Sequence, residues 1–149
     1  MMELPASLLH QTIKRGTILL SDSFEDIDHA KFFAVMGVYE DTIAGFFFIN
    51  SRIHPLVQSK PKQFAMQYQL RKRDYKFLRY DSFLGADDLL TRKVSDLVKS
   101  MQEGQTSIVG QLTADDLSAV LEACRKSNLS APRRRKDSFI RIYLYRRLH

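Results

Sequence analysis

The sequence predicts a mostly β, α+β domain: a small, strongly bent antiparallel sheet, or a small barrel, followed by two helices. Three observations carry this. First, Gly45 to His54 reads Gly-Phe-Phe-Phe-Ile-Asn-Ser-Arg-Ile-His, with Phe46 to Ile49 an unbroken apolar run. A run of that length between turn signals suits a strand buried on both faces. Second, other strand-length apolar segments cluster before Gly85, whereas the two strongest helical patterns come after it. Third, strands precede helices instead of alternating with them, which excludes the βαβ order of a nucleotide-binding sheet.

Taken in order, Leu4 to Ile13 is expected to be a short helix, with Leu8, Leu9 and Ile13 on one side and Gly16 as its stop. Thr17 to Leu20 reads as a strand and Ser21 to Asp28 as an acidic loop. Lys31 to Val38 and Ile43 to Ile49, joined by Tyr39 to Thr42, read as a hairpin. Arg52 to Pro61 contains Pro55 and Pro61 and reads as irregular. Lys62 to Leu70 alternates Phe64, Met66, Tyr68 and Leu70 with smaller or polar residues, the pattern of a half-buried strand. Arg71 to Lys76 is a basic loop, and Ser82 to Leu84 a short strand before Gly85, Asp87 and Asp88.

Val94, Leu97, Val98 and Met101 then fall at helical spacing, with Gly104 as a C-terminal stop. Thr106 to Gln111 is a short strand. Thr113 caps the next helix, Asp116 complements its N-terminus, and Leu112 with Leu117 forms a hydrophobic staple. Leu117, Val120, Leu121 and Cys124 make its buried stripe. Residues 1–131 read as one domain and 132–149 as a basic C-terminal extension, in which Phe139 to Leu148 has a strand-like alternation.

A length of 149 residues suits one domain with a real core, and 44% hydrophobic with 27% charged residues is a folded composition. No apolar run approaches the roughly 20 residues that span a bilayer. Met1 to Gly16 has no long apolar core after a basic start, so no secretory signal is expected. The lone Cys124 excludes an internal disulfide framework and fits a reducing cytoplasm. His10, His29, His54 and His149 share no ligand spacing, and the glycines form no phosphate loop, so neither metal nor cofactor is expected. The net charge of +6 is unevenly placed: Pro132 to His149 carries seven basic residues against Asp137 alone. Lys60 to Arg79 likewise carries seven against Asp74, and the rest of the chain is acidic.

Five segments bear on family. They are Arg15-Gly16-Thr17-Ile18-Leu19, Phe48-Ile49-Asn50-Ser51, Asp81-Ser82-Phe83-Leu84, Asp87-Asp88-Leu89-Leu90, and Ile108 to Thr113 leading into the helix that carries Cys124. This succession, over roughly residues 14 to 129, resembles the MazF/PemK (Kid/CcdB-like) toxin family. The resemblance implies a strongly bent, SH3-like antiparallel barrel with helices, and a homodimer. It also implies a metal-independent endoribonuclease acting on single-stranded RNA, and an antitoxin partner that lays a segment in the substrate groove. The chain departs from the family pattern at three places. His29-Ala30-Lys31 stands where the family has Arg-Pro, Asn50 where it has Thr, and Asp88-Leu89-Leu90 where it has Gln-hydrophobic-Arg. Asp87 sits where some members place a catalytic acid.

Metal-independent RNA cleavage needs a base for the 2′-hydroxyl, an acid for the leaving oxygen and cations for the phosphate. His29 is the candidate base, because an unperturbed imidazole titrates near neutrality, or else an ordinary loop residue. Lys31 and Arg52 are candidates to hold phosphate, and Asn50 and Ser51 to orient the sugar, with Ser51 and Asp87 counted in the catalytic set. The competing account of Asp87 is turn chemistry. In the Lys60 to Arg79 segment, Arg71, Lys72, Arg73 and Tyr75 are expected to contact RNA through charge and stacking. The alternative is a non-catalytic module that keeps the fold and binds nucleic acid or a protein.

Overall fold

Two apolar segments that both alternate and run on make the central hairpin, Lys31–Tyr39 (β2) and Ile43–Asn50 (β3). Glu40 and Asp41, at φ 48° and 59°, turn the chain, and the Thr42 N–H donates to the Tyr39 carbonyl at 3.0 Å. Two left-handed residues in succession give the turn whose twist matches that of the strands it joins. The computed structural model describes residues 4–24 and 27–126. The basic extension, with the expected strand from Phe139 to Leu148, lies outside the described residues.

Around the hairpin lie, in chain order, Ala6–Thr12 (α1), Thr17–Ser21 (β1), Pro55–Gln58 (α2), Pro61–Phe64 (α3) and Gln67–Leu70 (β4). Ser82–Gly85 (β5), Leu90–Lys93 (β6), Val94–Gln102 (α4), Thr106–Gln111 (β7) and Ala114–Lys126 (α5) follow. The seven strands form one antiparallel sheet in the order β4-β5-β3-β2-β1-β7, with β6 also on β3. The path ends at β4 and β7, so the sheet is open and not a closed barrel. One edge of β3 pairs with β2. Its other edge is shared, by β6 along Ile43 to Phe46 and by β5 at Ile49 and Asn50.

Alternation sends β3 side chains into two cores. Phe47 and Ile49 join Ile18, Ala34, Leu84 and the α5 residues Val120, Leu121 and Cys124 on one face. Ala44 and Phe46 join Leu19, Phe33 and Val35 on the other, under Leu9 of α1 and Val94, Leu97 and Val98 of α4. Both faces of the sheet are therefore covered, which is why this strand reads as a continuous apolar run. The buried hydroxyls are paired: Thr106 Oγ1 donates to Ser21 Oγ at 2.7 Å and lies 2.7 Å from Ser100 Oγ, tying β7, β1 and α4. Gly16 is required where β1 begins. Its φ is +92°, and a Cβ there would stand 2.2 Å from Gln111 Nε2.

Several expectations are corrected. Leu8 is not on the buried side of α1 but 46% exposed, one residue round the helix from buried Leu9. Lys62 to Phe64 is not strand: Pro61 opens a helical turn there, as Pro55 does for α2, and only Gln67–Leu70 is extended. A proline's missing N–H is harmless in a first turn, so the residue that reads as a breaker can equally be a starter. Leu90–Lys93, not among the expected strands, is a strand on β3. The expected cap of α5 is present, with the Asp116 N–H donating to Thr113 Oγ1 at 3.1 Å and Leu112 and Leu117 in one cluster.

Phe47 is 2% exposed at the middle of this arrangement. Phe47→Ala is expected to lower the unfolding free energy by about 3–5 kcal/mol. Leu56→Ala, at a 66% exposed position, should stay within about 0.5 kcal/mol. Urea denaturation followed by circular dichroism measures both.

Candidate functional site

The apolar run of β3 ends at Asn50, and Ser51 and Arg52 leave the sheet exposed. A cleft of about 1340 Å³ opens at this point. Its walls are the start of β2, the segment from Phe48 to Gln58, the stretch from Phe77 to Phe83, and the Gly85 to Asp88 turn. His29, Lys31, Asn50, Ser51, Arg52 and Asp87 all line it. Residues read separately along the sequence thus meet at one place.

Lys31 lies beside Asn50 because Phe32 pairs with Ile49 across the hairpin. Its ammonium donates to Asn50 Oδ1 and stands 5.1 Å from the centre of the Phe48 ring. Burial holds the Lys31 pKa below the usual lysine value. A partly desolvated cation with few local partners is a strong site for a phosphate oxygen.

Two histidines line the cleft with opposite hydrogen-bond assignments. His29 Nδ1 is 3.1 Å from Asp28 Oδ1, both side chains being exposed. An ionised carboxylate only accepts, so Nδ1 carries the hydrogen and a neutral ring keeps its basic lone pair on Nε2. The same contact holds the Asp28 carboxyl below its ordinary pKa, first through the hydrogen bond from His29. His54 Nδ1 instead accepts from the Leu56 N–H at 3.1 Å, capping α2. Its neutral ring therefore carries its hydrogen on Nε2. Reading the sequence for ligand spacing missed His54 as a cleft residue; its position one before Pro55, the site of a helix cap, was the available signal.

Asp87 Oδ1 accepts from Gln67 Nε2 at 2.7 Å. Gly85 beneath it leaves the room, since a Cβ there would be 3.3 Å from that oxygen. Asp87 thus ties β4 to the turn after β5, the structural role expected of turn chemistry, while still lining the cleft.

The basic loop divides. Arg71, Lys72 and Arg73 are exposed, on or next to a single 3-10 turn at Lys72–Asp74, and do not line the cleft. Tyr75, expected to stack on RNA, is 4% exposed and packs inward, so its ring offers no face to a base. Its hydroxyl donates to Asp116 Oδ2 and accepts from the Thr113 N–H at 3.1 Å. Tyr68 donates to the other carboxylate oxygen of Asp116 at 2.8 Å. Asp116 therefore clamps β4 and the basic loop onto the first turn of α5. Phe77 continues the anchor inward, 4.9 Å from Phe32 and over Gly110, where a Cβ would stand 3.2 Å from the ring.

No protein-family model matches this chain, and no curated protein matches it in sequence. Among the described residues no group of His, Cys, Asp and Glu is placed to hold a metal ion, and no helix is long and apolar enough to cross a membrane.

The Asp116 clamp has a pH signature. Burial, then the bond to Asp116, pushes the Tyr68 phenol up to about 12, and burial and Asp116 raise Tyr75 as well. A phenol whose pKa is higher folded than unfolded stabilises the fold fully below the unfolded value near 10. That contribution is lost as pH rises from about 10 through about 12. Tyrosinate absorbance should show Tyr68 as a late-titrating phenol that is missing in Tyr68→Phe. Stability measured over the same range should fall less steeply in that variant than in the wild type.

Proposed function

We propose that the chain is a divergent MazF/PemK-like protein that binds single-stranded RNA in this cleft and cuts it without a metal. What supports the reading is the convergence of His29, Lys31, Asn50, Ser51 and Arg52 at the polar end of the central strand, with Asp87 on the facing turn. In this reading Lys31 and Arg52 hold the phosphate, and Asn50 and Ser51 orient the ribose. His29 Nε2 takes the 2′-hydroxyl proton as that oxygen attacks phosphorus. The bond to the 5′-oxygen breaks, and the leaving oxygen takes a proton from solvent in the cleft. A general base of this kind contributes about 10²–10⁴-fold.

A second reading, binding without cleavage, is favoured by one observation: Asp87 Oδ1 is already engaged by Gln67, so that oxygen serves the wall of the cleft. One assay separates the two. Purified protein is incubated with mixed-sequence RNA and a chelator, and the products are resolved on a gel. Cleavage is expected, leaving a 2′,3′-cyclic phosphate, with the rate about 10²-fold lower or more in His29→Ala. Cleavage unchanged in both His29→Ala and Ser51→Ala overturns the site assignment. Absent cleavage with salt-sensitive binding selects the second reading.

A further inference from the structure

Two aromatic rings in the cleft are exposed and stand outside both cores. Tyr80 is 68% exposed and Phe64 46% exposed, and both line the cavity. Of the other phenyl rings in its walls, Phe32, Phe48 and Phe77 are in contact with the cores and Phe83 is half-buried. Among the described residues no ring stacks on Phe64 or Tyr80. Their backbones are nonetheless fixed. Ser82 Oγ donates to the Tyr80 carbonyl at 2.9 Å, and the Phe64 N–H donates to the Lys60 carbonyl at 2.8 Å as the last residue of α3.

A large exposed ring on a fixed backbone offers an apolar face at little entropic cost to whatever stacks on it. Cations stand in the same cavity: Arg79 precedes Tyr80, and Lys31 and Arg52 lie on the β3 side. A cation next to an exposed ring can meet a phosphate and its own base with consecutive residues. In a duplex the base faces are covered by their neighbours, so only unpaired bases present a face to a side chain.

We infer that Phe64 and Tyr80 are base-stacking platforms that restrict the cleft to unpaired nucleotides. The inference rests on the RNA-binding reading above and adds the residues that read the single-stranded state. It does not depend on cleavage.

The test is binding of a fluorescently labelled, unpaired RNA by anisotropy at low salt. The variants are Phe64→Ala, Tyr80→Ala, Arg52→Ala and Arg79→Ala, each checked for unchanged thermal unfolding. An abasic strand of equal length and a duplex serve as comparison ligands. Each ring variant should bind the unpaired strand about 5- to 100-fold more weakly and the abasic strand as the wild type does. The chain contains no tryptophan, so Tyr80→Trp places one reporter in the cleft. Its emission should be quenched by the unpaired strand and not by the abasic one. If the arginine variants weaken binding while both ring variants leave it unchanged, stacking is wrong and the cleft reading stands. If the unpaired strand does not bind the wild type, or binds all four variants as tightly as the wild type, both are overturned.

Discussion

The structure depends on the double enclosure of β3. Its two edges are hydrogen-bonded, by β2 on one side and by β6 and β5 on the other, and its two faces are covered by separate cores. Burying Phe46, Phe47 and Ile49 contributes on the order of 1.5–3 kcal/mol each. A strand so enclosed has no place along its length for an unpaired polar side chain. Hydrogen-bonding groups can appear only where it leaves the sheet, and Asn50, Ser51 and Arg52 do so in succession. The cleft is at the end of this strand for the same reason that the strand is central.

A second device sets the far wall. Asp116 accepts from both Tyr68 and Tyr75 while its own N–H is capped by Thr113. One carboxylate thus couples β4, the basic loop and α5, and the aromatic residues of that loop serve as anchors while its cations stay in solvent. Phe77, seated over Gly110 and against Phe32, carries the anchor to the cleft. From there the chain runs through Arg79 and Tyr80, which line it.

Legibility in the sequence followed local periodicity. The β2–β3 hairpin, α4 and the capped α5 were readable because their apolar spacing and end residues agree with the structure they adopt. The turns at Pro55 and Pro61 were not, since proline both breaks and starts helices and only the surrounding chain decides. Leu90–Lys93 carries no strong strand alternation of its own and is extended because the edge of β3 needs a partner. Tyr75 looked available because it follows a run of cations; its burial depends on Asp116, 41 residues later. The β3 end of the cleft could be found from one stretch of sequence. His54, Phe64, Arg79 and Tyr80 join it only through folding.

The central claim is that the polar end of β3 is where an unpaired RNA binds. Hydrogen–deuterium exchange with and without a mixed-sequence, unpaired RNA tests it most directly. The account predicts slower exchange in the segments around residues 29–32, 49–58, 63–67 and 78–88, with α1 and α4, which do not line the cleft, unchanged. Protection centred on α1 and α4, or no protection at a concentration where the RNA is bound, would contradict it.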